Sequence, residues 1–597
     1  MQSTDEVPEH SVADRRSNWS GIVACVLTLV AISPMVVVVV TFAGDPVVPR
    51  GDLAIFDLRT RDVFSADPPL VGPFGDGWNH PGPISYLIPT VVGAPFGWPA
   101  WAIFVGGALV QATAIVWLAF GAWRRGGLTL LAVSLGALGL AYSVQGPWVA
   151  TDPWNPHLAF PFFALFVFQL WSISEGSGWA WIGTAITASF LVQTHVGYAP
   201  LVVAGIAFAV VAAATRRASP PELNRALAIA ATIAIVLWLP PLVEQVRQSP
   251  GNLSDLAGYF ADSGESAIGF VRGAELMATE LRLPPPWLTS ERAGLDAVVT
   301  GASVTWLILP VVALIASAAL VWYRRDARGA RLVALAAVLL VTGVLALGRL
   351  SVETTWWRIM WRMPIAVFVV VVVGVVLTGA ASPPFRDRLR SFGVVALAAA
   401  VPLGFGGMAI EVMSVDRGGS PMGQLLDGYD DVGGPVMVVE LGRKGRHQAF
   451  PAIIDELDRA GVEVRVEPEE AYKFGAHRGV ADPTRLLGFT EHGQIASFYA
   501  TAAGGRVVAR TTPLSGPEER ELEALEVLAI AALERGDNLA ALERLDLMDV
   551  DELLAQAPGL LTPDAERLVA LSRKAYEAGC RCALIELNPD APPPDVF

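Results

Sequence analysis

The sequence predicts an α-helical polytopic membrane protein with about eleven transmembrane helices, followed by a soluble C-terminal domain of α/β or α+β class. Three observations predict it. Of 597 residues, 53% are hydrophobic and 17% charged, with a mean hydropathy of +0.49, whereas soluble chains carry roughly a quarter charged residues. Uncharged apolar runs near the length that crosses a hydrocarbon core of about 30 Å recur along the first two thirds of the chain. The acidity is confined to one end: the formal charge is −15, and from Val415 onward 32 acidic residues stand against 18 basic ones, so the preceding portion is almost neutral. This composition excludes a soluble enzyme. The acidic end repels phosphates and excludes nucleic acid as a partner.

The apolar runs are Gly21 to Phe42, Pro99 to Phe120, Leu128 to Val144, His157 to Ser172, Gly178 to Gln193, Tyr198 to Ala214, Ala226 to Pro241, Val304 to Trp322, Leu332 to Leu347, Pro364 to Gly379 and Val394 to Met408. The first is too long for a signal peptide and lacks a small-residue cleavage site, so it reads as an uncleaved helix. With residues 1–20 in the cytoplasm, alternate connections place Arg124/Arg125, Arg216/Arg217, Arg324/Arg325/Arg328 and Arg386/Arg388/Arg390 on the inner side, which is the positive-inside pattern. An odd number of spans then puts the C-terminal domain outside the plasma membrane.

Composition sets the boundaries: a transmembrane domain over residues 21–410, a linker over 411–433 rich in Gly and Asp, and an extracytoplasmic domain over 434–597. In that last segment Val436 to Val439 reads as a buried strand. Phe450, Ile453, Ile454 and Leu457 show helical spacing, and Val462, Val464 and Val466 alternate as a strand, which together predict a β-α-β unit. Helices are predicted over Pro517 to Leu545 and Pro563 to Gly579, and a strand over Ala583 to Leu587. Three cysteines are too few for a disulfide framework, and Cys580 and Cys582 read first as buried thiols.

Polar residues gather on the predicted outer side. His80, His157 and His195 all fall at outer helix ends or loops, with Asp52, Asp57, Asp62, Asp67, Asp76, Asp152, Asn155, Gln193, Tyr198 and Glu244 at similar depth. Acidic and amide residues collect at any wet interface, but their number points to a shared face. Asp52 and Asp57 are five apart, so on a helix they serve different partners: one faces a ligand and the other orients Arg59 or Arg61. An aspartate in a partly desolvated cleft gains proton affinity and suits general-base work. Trp78-Asn-His-Pro-Gly-Pro83 opens a proline-broken stretch, Ile84 to Phe96, that reads as an interfacial helix. Asp152 or Asn155 is expected to cap the helix opened by Thr151-Asp-Pro-Trp-Asn-Pro-His157. Arg358 and Arg362, four apart among tryptophans, fit a phosphate at the membrane surface or simple snorkelling. No His-x-x-x-His, Cys-x-x-Cys or nucleotide-binding glycine loop occurs.

This order of motifs resembles the multispanning glycosyltransferases of the GT-C fold, in particular the protein O-mannosyltransferase and lipid A aminoarabinose transferase branch and similar actinobacterial proteins. The likeness lies in an aspartate loop after the first helix (Asp52, Asp57), a His-Pro-Gly-Pro stretch (His80 to Pro83), an acidic residue in the second outer loop (Asp152) and a large outer loop after the seventh helix. It departs at Asp52, which is followed by Leu53 where better-known members carry Asp-Glu. The resemblance implies an inverting transfer of sugar from a polyprenyl-phosphate donor to a cell-envelope glycan, lipid or protein, at the face of the bilayer outside the cytoplasm. It implies Asp52 as leading base, with Asp57 and Asp152 as supporting acids. His80, Arg358 and Arg362 would contact the carrier phosphate, and Asn155, His157, Gln193, His195, Tyr198 and Glu244 would complete the substrate-binding set. No cofactor or metal ligand is assigned, and assistance by a divalent cation stays open. The rival readings are a flippase or transporter of lipid-linked substrates, disfavoured by uncharged span centres, and a noncatalytic envelope scaffold.

Overall fold

The structure, a computed structural model, describes residues 10–75, 77–216, 220–262, 267–289, 298–351, 354–379, 381–415, 425, 434–441, 449–479, 485–490, 504–511, 514–534, 567, 570, 571, 574 and 582–588. Asp76, most of the linker, the last part of the helix predicted from Pro517 and most of the helix predicted from Pro563 lie outside these residues. The chain divides into two compact units, one comprising residues 1–44 and 70–415 and the other residues 45–69 and 416–597.

In the first unit every predicted apolar run falls on a helix. α1 (His10–Ala31) and α2 (Ser33–Phe42) form one bent pair, at 52°. Pro34 cannot donate to Val30, and the Ser33 hydroxyl takes that carbonyl instead at 2.8 Å. After α3 (Asp52–Asp62), which belongs to the second unit, come α4 (Leu87–Gly93) and α5 (Trp101–Ser143), whose 43 residues break at Gly126 and Gly127. Gly127 sits at φ +60°, a conformation that favours glycine. Then follow α6 (Trp148–Thr151), α7 (Asn155–Ser174), α8 (Ala180–Thr194), α9 (Ala199–Ala214) and α10 (Leu223–Arg247). The connection after α10 carries α11 (Asn252–Asp262), α12 (Phe270–Leu281) and α13 (Pro286–Thr289). The unit closes with α14 (Ile308–Tyr323), α15 (Ala327–Gly348), α16 (Arg362–Thr378), α17 (Pro383–Val401) and α18 (Gly407–Met413).

Among the described residues, seven helices are long and apolar enough to cross a membrane, or eight with the bent pair taken as one span. The difference from about eleven has three local causes. α5 carries two predicted spans on either side of its break at Gly126 and Gly127 and counts once among the seven. α8 and α16, at 15 and 17 residues, are shorter than a bilayer requires of a straight helix. The chain is a multi-pass membrane protein.

The second unit contains a five-stranded sheet in the order β2-β1-β3-β5-β4. Its strands are β1 (Val436–Glu440), β2 (Val464–Arg465), β3 (Arg485–Thr490), β4 (Arg506–Arg510) and β5 (Ala583–Leu587). β1 runs parallel to β2 and β3, whereas β5 is antiparallel to β3 and β4. α19 (Ala449–Arg459) links β1 to β2 and buries Phe450, Ile453, Ile454 and Leu457, the residues whose spacing predicts it. α20 (Ala471–Phe474) and α21 (Gly516–Glu534) complete the described helices. Met437, Leu441, Leu486, Ala583, Ile585 and Leu587 form one face of the core. Cys582 is disulfide-bonded, against the thiol expectation, and Cys25 is free.

Charge explains why α3 joins this unit. Arg61 donates to Asp455 at 2.5 Å, Arg459 pairs with Asp57, and Arg478 forks onto Asp62 at 2.7 and 2.9 Å. Seven of the eleven residues from Asp52 to Asp62 have their neighbours in an unbroken buried run, Ala54 to Thr60. Asp52 in the first turn and Arg59 and Arg61 in the last also suit the helix dipole.

Candidate functional site

In the first unit a short hairpin presents His80. Phe74 bridges Asn79, Gly72 donates to the His80 carbonyl at 2.8 Å, and His80 donates to the Pro73 carbonyl at 2.8 Å. Two glycines let this turn sit against α8. A Cβ on Gly82 would meet Gln193 Oε1 at 2.2 Å, and one on Gly72 would meet the Gly82 carbonyl oxygen at 2.5 Å. Gln193 is buried and donates to the Leu237 carbonyl at 2.8 Å, tying α8 to α10. Glu244 accepts from the Asn252 backbone at 3.0 Å, and Asn252 and Asn79 exchange two hydrogen bonds at 2.8 and 2.9 Å. Glu244 therefore steadies the turn that carries His80.

His80 and His195 meet with ring centroids 5.2 Å apart. The Val196 N–H donates to His80 Nδ1 at 3.2 Å, which leaves the neutral ring its proton on Nε2. Burial, with His195 beside it, holds His80 well below the usual imidazole range. Burial pushes His195 down to about 4, the Arg358 backbone opposing that shift and the Arg358 charge adding to it. Asn155 donates to the Thr194 carbonyl at 3.1 Å and lies 3.5 Å from His195 Nδ1, and the Tyr198 ring is 5.8 Å from that of His195. Arg358 covers the Trp357 ring at 4.7 Å, Trp357 packs on Trp154 at 5.2 Å, and Trp154 meets His157 at 5.4 Å. His157 bonds the backbone of Asp152. The half-buried Asp152 carboxyl accepts from Thr151 at 3.0 Å, and desolvation raises it to about 7.

The structure thus brings His80, Asp152, Asn155, His157, Gln193, His195, Tyr198 and Arg358 into one connected polar and aromatic cluster. Neither Asp152 nor Asn155 caps α7, whose Ncap residue is Trp154. Their side chains turn instead to Thr151 and to Thr194 and His195. Arg358 and Arg362 do not share a helical face, because Arg358 lies in the 3₁₀ turn Trp356–Ile359 and Arg362 opens α16. Arg362 stacks on Trp356 at 4.6 Å and donates to Glu280 at 2.8 Å, the pair being 1% and 0% exposed. The sequence reading missed Glu280. Its signal was an arginine at the head of an apolar run, which demands a buried partner.

Asp52 and Asp57 lie in the second unit. Asp52 is exposed in the first turn of α3. Asp57 is 2% exposed, and Arg459 and Arg61 flank it. Burial raises Asp57 above the ordinary carboxylate value despite these arginines, and raises its hydrogen-bonded neighbour Asp455 well above it, with Asp57 adding to that rise. Of the two arginines that α3 itself offers, Arg61 is the one paired with Asp57, at 3.8 Å, while Arg59 pairs with Asp62. Among the described residues no group of three or more His, Cys, Asp or Glu side chains is placed to hold a metal ion.

No protein-family model matches this sequence. The chain is 29% identical over 249 residues to the galactan 5-O-arabinofuranosyltransferase of Mycolicibacterium smegmatis, a match covering 39% of each protein. It therefore spans well under half the length of that relative. Crystal structures of ArnT from Cupriavidus metallidurans are also similar. The form bound to undecaprenyl phosphate aligns with a TM-score of 0.49 at 12% identity, over 83% of this chain and 97% of that one. The apo form aligns with a TM-score of 0.44 at 14% identity, over 84% and 97%.

Proposed function

We propose that the protein is a membrane glycosyltransferase of GT-C type, which transfers a sugar from a polyprenyl-phosphate donor to a cell-envelope acceptor on the outer face of the plasma membrane. The observation that carries this reading is the cluster around His80 and His195. The neutral, buried His80 can donate its Nε2–H to an anion, with Arg358, beside His195, supplying charge on an aromatic platform. Beside them Asp152 has a proton affinity near neutrality, which suits proton transfer to or from a hydroxyl. The likeness to an arabinofuranosyltransferase supports the same class and makes an arabinofuranosyl donor and a galactan acceptor the first to try.

In the proposed reaction a carboxylate removes the proton of the acceptor hydroxyl, whose oxygen displaces polyprenyl phosphate at the anomeric carbon with inversion. Cationic and N–H donors stabilise the departing phosphate. Asp52 is the leading base by motif order, Asp152 the supporting acid, and Asp57 holds α3 in place through Arg459 and Arg61. The N-terminus is cytoplasmic and the C-terminal domain extracytoplasmic, where it binds the acceptor.

The test incubates purified wild type, Asp52→Asn and Asp152→Asn with radiolabelled polyprenyl-phosphate sugars, galactan and an envelope extract. Transfer by wild type that is lost in either variant is expected. Folded protein that transfers none of the donors would replace this reading by a flippase or a scaffold.

A further inference from the structure

A second site lies at the far end of the first unit's helices. A cavity of about 740 Å³ runs between α5, α7, α15 and α16, with Val133, Phe163, Leu339 and Val371 among its walls and Arg124, Arg125, Glu175 and Arg328 at one end. It is separate from the His80 cluster. α7 begins with Asn155 and His157 in that cluster and ends at Ser174, next to Glu175, and its 20 residues span about 30 Å at 1.5 Å each. The break at Gly126 and Gly127 turns the chain beside this end of the cavity, just after Arg124 and Arg125.

The chemistry of the two ends differs. The shaft is walled by hydrocarbon and offers water few polar partners. Its basic end has an excess of cations: Glu175, the one carboxylate among the described lining residues, is shared between Arg328 at 3.1 Å and Arg331 at 2.7 Å, while Arg124 packs against Phe120. The volume falls within the range of about 300–1,000 Å³ common to ligand sites. A small hydrophilic anion would leave the shaft empty, and a neutral hydrocarbon would leave the guanidinium groups unmatched. We propose that this cavity binds one anionic, phosphate-headed lipid, its chain in the shaft and its phosphate against Arg124, Arg125 and Arg328. An anionic glycerophospholipid and a polyprenyl monophosphate share this chemistry.

The experiment reconstitutes the full chain in nanodiscs holding equal amounts of phosphatidylglycerol, phosphatidylcholine and a polyprenyl monophosphate, then counts retained lipids by native mass spectrometry. Wild type is expected to keep one anionic lipid more than Val133→Trp does, with a preference of about tenfold over phosphatidylcholine. Phosphatidylglycerol as the lipid lost in Val133→Trp assigns a glycerophospholipid, and polyprenyl monophosphate as the lipid lost assigns the carrier. The Arg124→Ala/Arg125→Ala double variant should lose the preference, and Val133→Trp, which fills the shaft, should lose the lipid. Arg124→Lys/Arg125→Lys should keep both. Equal retention of phosphatidylcholine by wild type, or an unchanged preference in the double alanine variant, overturns the proposal.

Discussion

The imidazoles of His80 and His195 face each other across 5.2 Å, both buried, on two segments more than a hundred residues apart in the chain. Both are held below the ordinary imidazole value, so the folded protein binds fewer protons there than the unfolded chain as pH falls below about 6.5, for His195 down to about pH 4. Stability therefore falls as pH drops through that window, by up to about 1.4 kcal/mol per pH unit for each histidine. Thermal unfolding in nanodiscs at pH 7.5 and 5.5 checks this, and His195→Gln should flatten the dependence. An unchanged pH slope in that variant would mean that other groups titrate.

Asp62 and Asp57 should respond differently to loss of charge, although both pair with arginines on α3 and the C-terminal segment. Asp62 receives a two-pronged contact from Arg478 and is held below the ordinary carboxylate value by it, against the opposing effect of burial. Asp62→Ala leaves Arg478 facing Asp458 alone and should cost about 3 kcal/mol. Asp57→Asn should cost less, because Arg61 and Arg459 both keep Asp455 as a partner. Hydrogen exchange over Asp52–Asp62 reads both, with faster exchange expected mainly in Asp62→Ala.

Gly82→Ala tests the fit of the hairpin on α8. The new methyl would press on Gln193 Oε1, Cδ and Cγ at 2.2, 2.5 and 2.9 Å. Gln193 is fastened at its other end to Leu237, so it yields only by giving up that bond. A loss of about 1–3 kcal/mol in stability is expected, together with reduced transfer as His80 shifts. Equal melting temperatures and activities would show that Gln193 swings away without consequence.

The sequence makes the membrane helices legible because bilayer thickness acts on hydropathy directly, so every apolar run falls on a helix. The span count is less legible, since α5 carries two apolar runs across its break at Gly126-Gly127 and α8 has only 15 residues. In the C-terminal segment β1, α19 and β5 follow from apolar patterns, whereas β3 and β4 do not. Arg485-Leu-Leu-Gly-Phe-Thr490 is too briefly apolar to be told from a helical turn. The cluster around His195 was visible as residues of similar depth. The pairing of Arg362 with Glu280 was not, because contacts between distant segments leave no local pattern. α3 reads as a loop helix next to the membrane, and only the long-range pairs with Asp455, Arg459 and Arg478 assign it to the C-terminal unit.

Asp152 separates stability from catalysis. Its carboxyl is raised to about 7 by desolvation, whereas in the unfolded chain it would ionise near 3.8. The unfolded state thus releases a proton that the folded state keeps between those values, and the group's contribution to stability declines as pH rises from about 4 to 7. Asp152→Asn removes that penalty and should raise the melting temperature at pH 8 while leaving it nearly unchanged at pH 4. If Asp152 transfers a proton in the reaction, the same change should lower kcat by about 10²–10⁴-fold and erase an inflection near pH 7 in the rate profile. A variant that is stabilised at pH 8 yet keeps both its rate and the inflection would make Asp152 a structural neighbour of Thr151 and His157, and would shift the search for the proton-transferring carboxylate to Asp52.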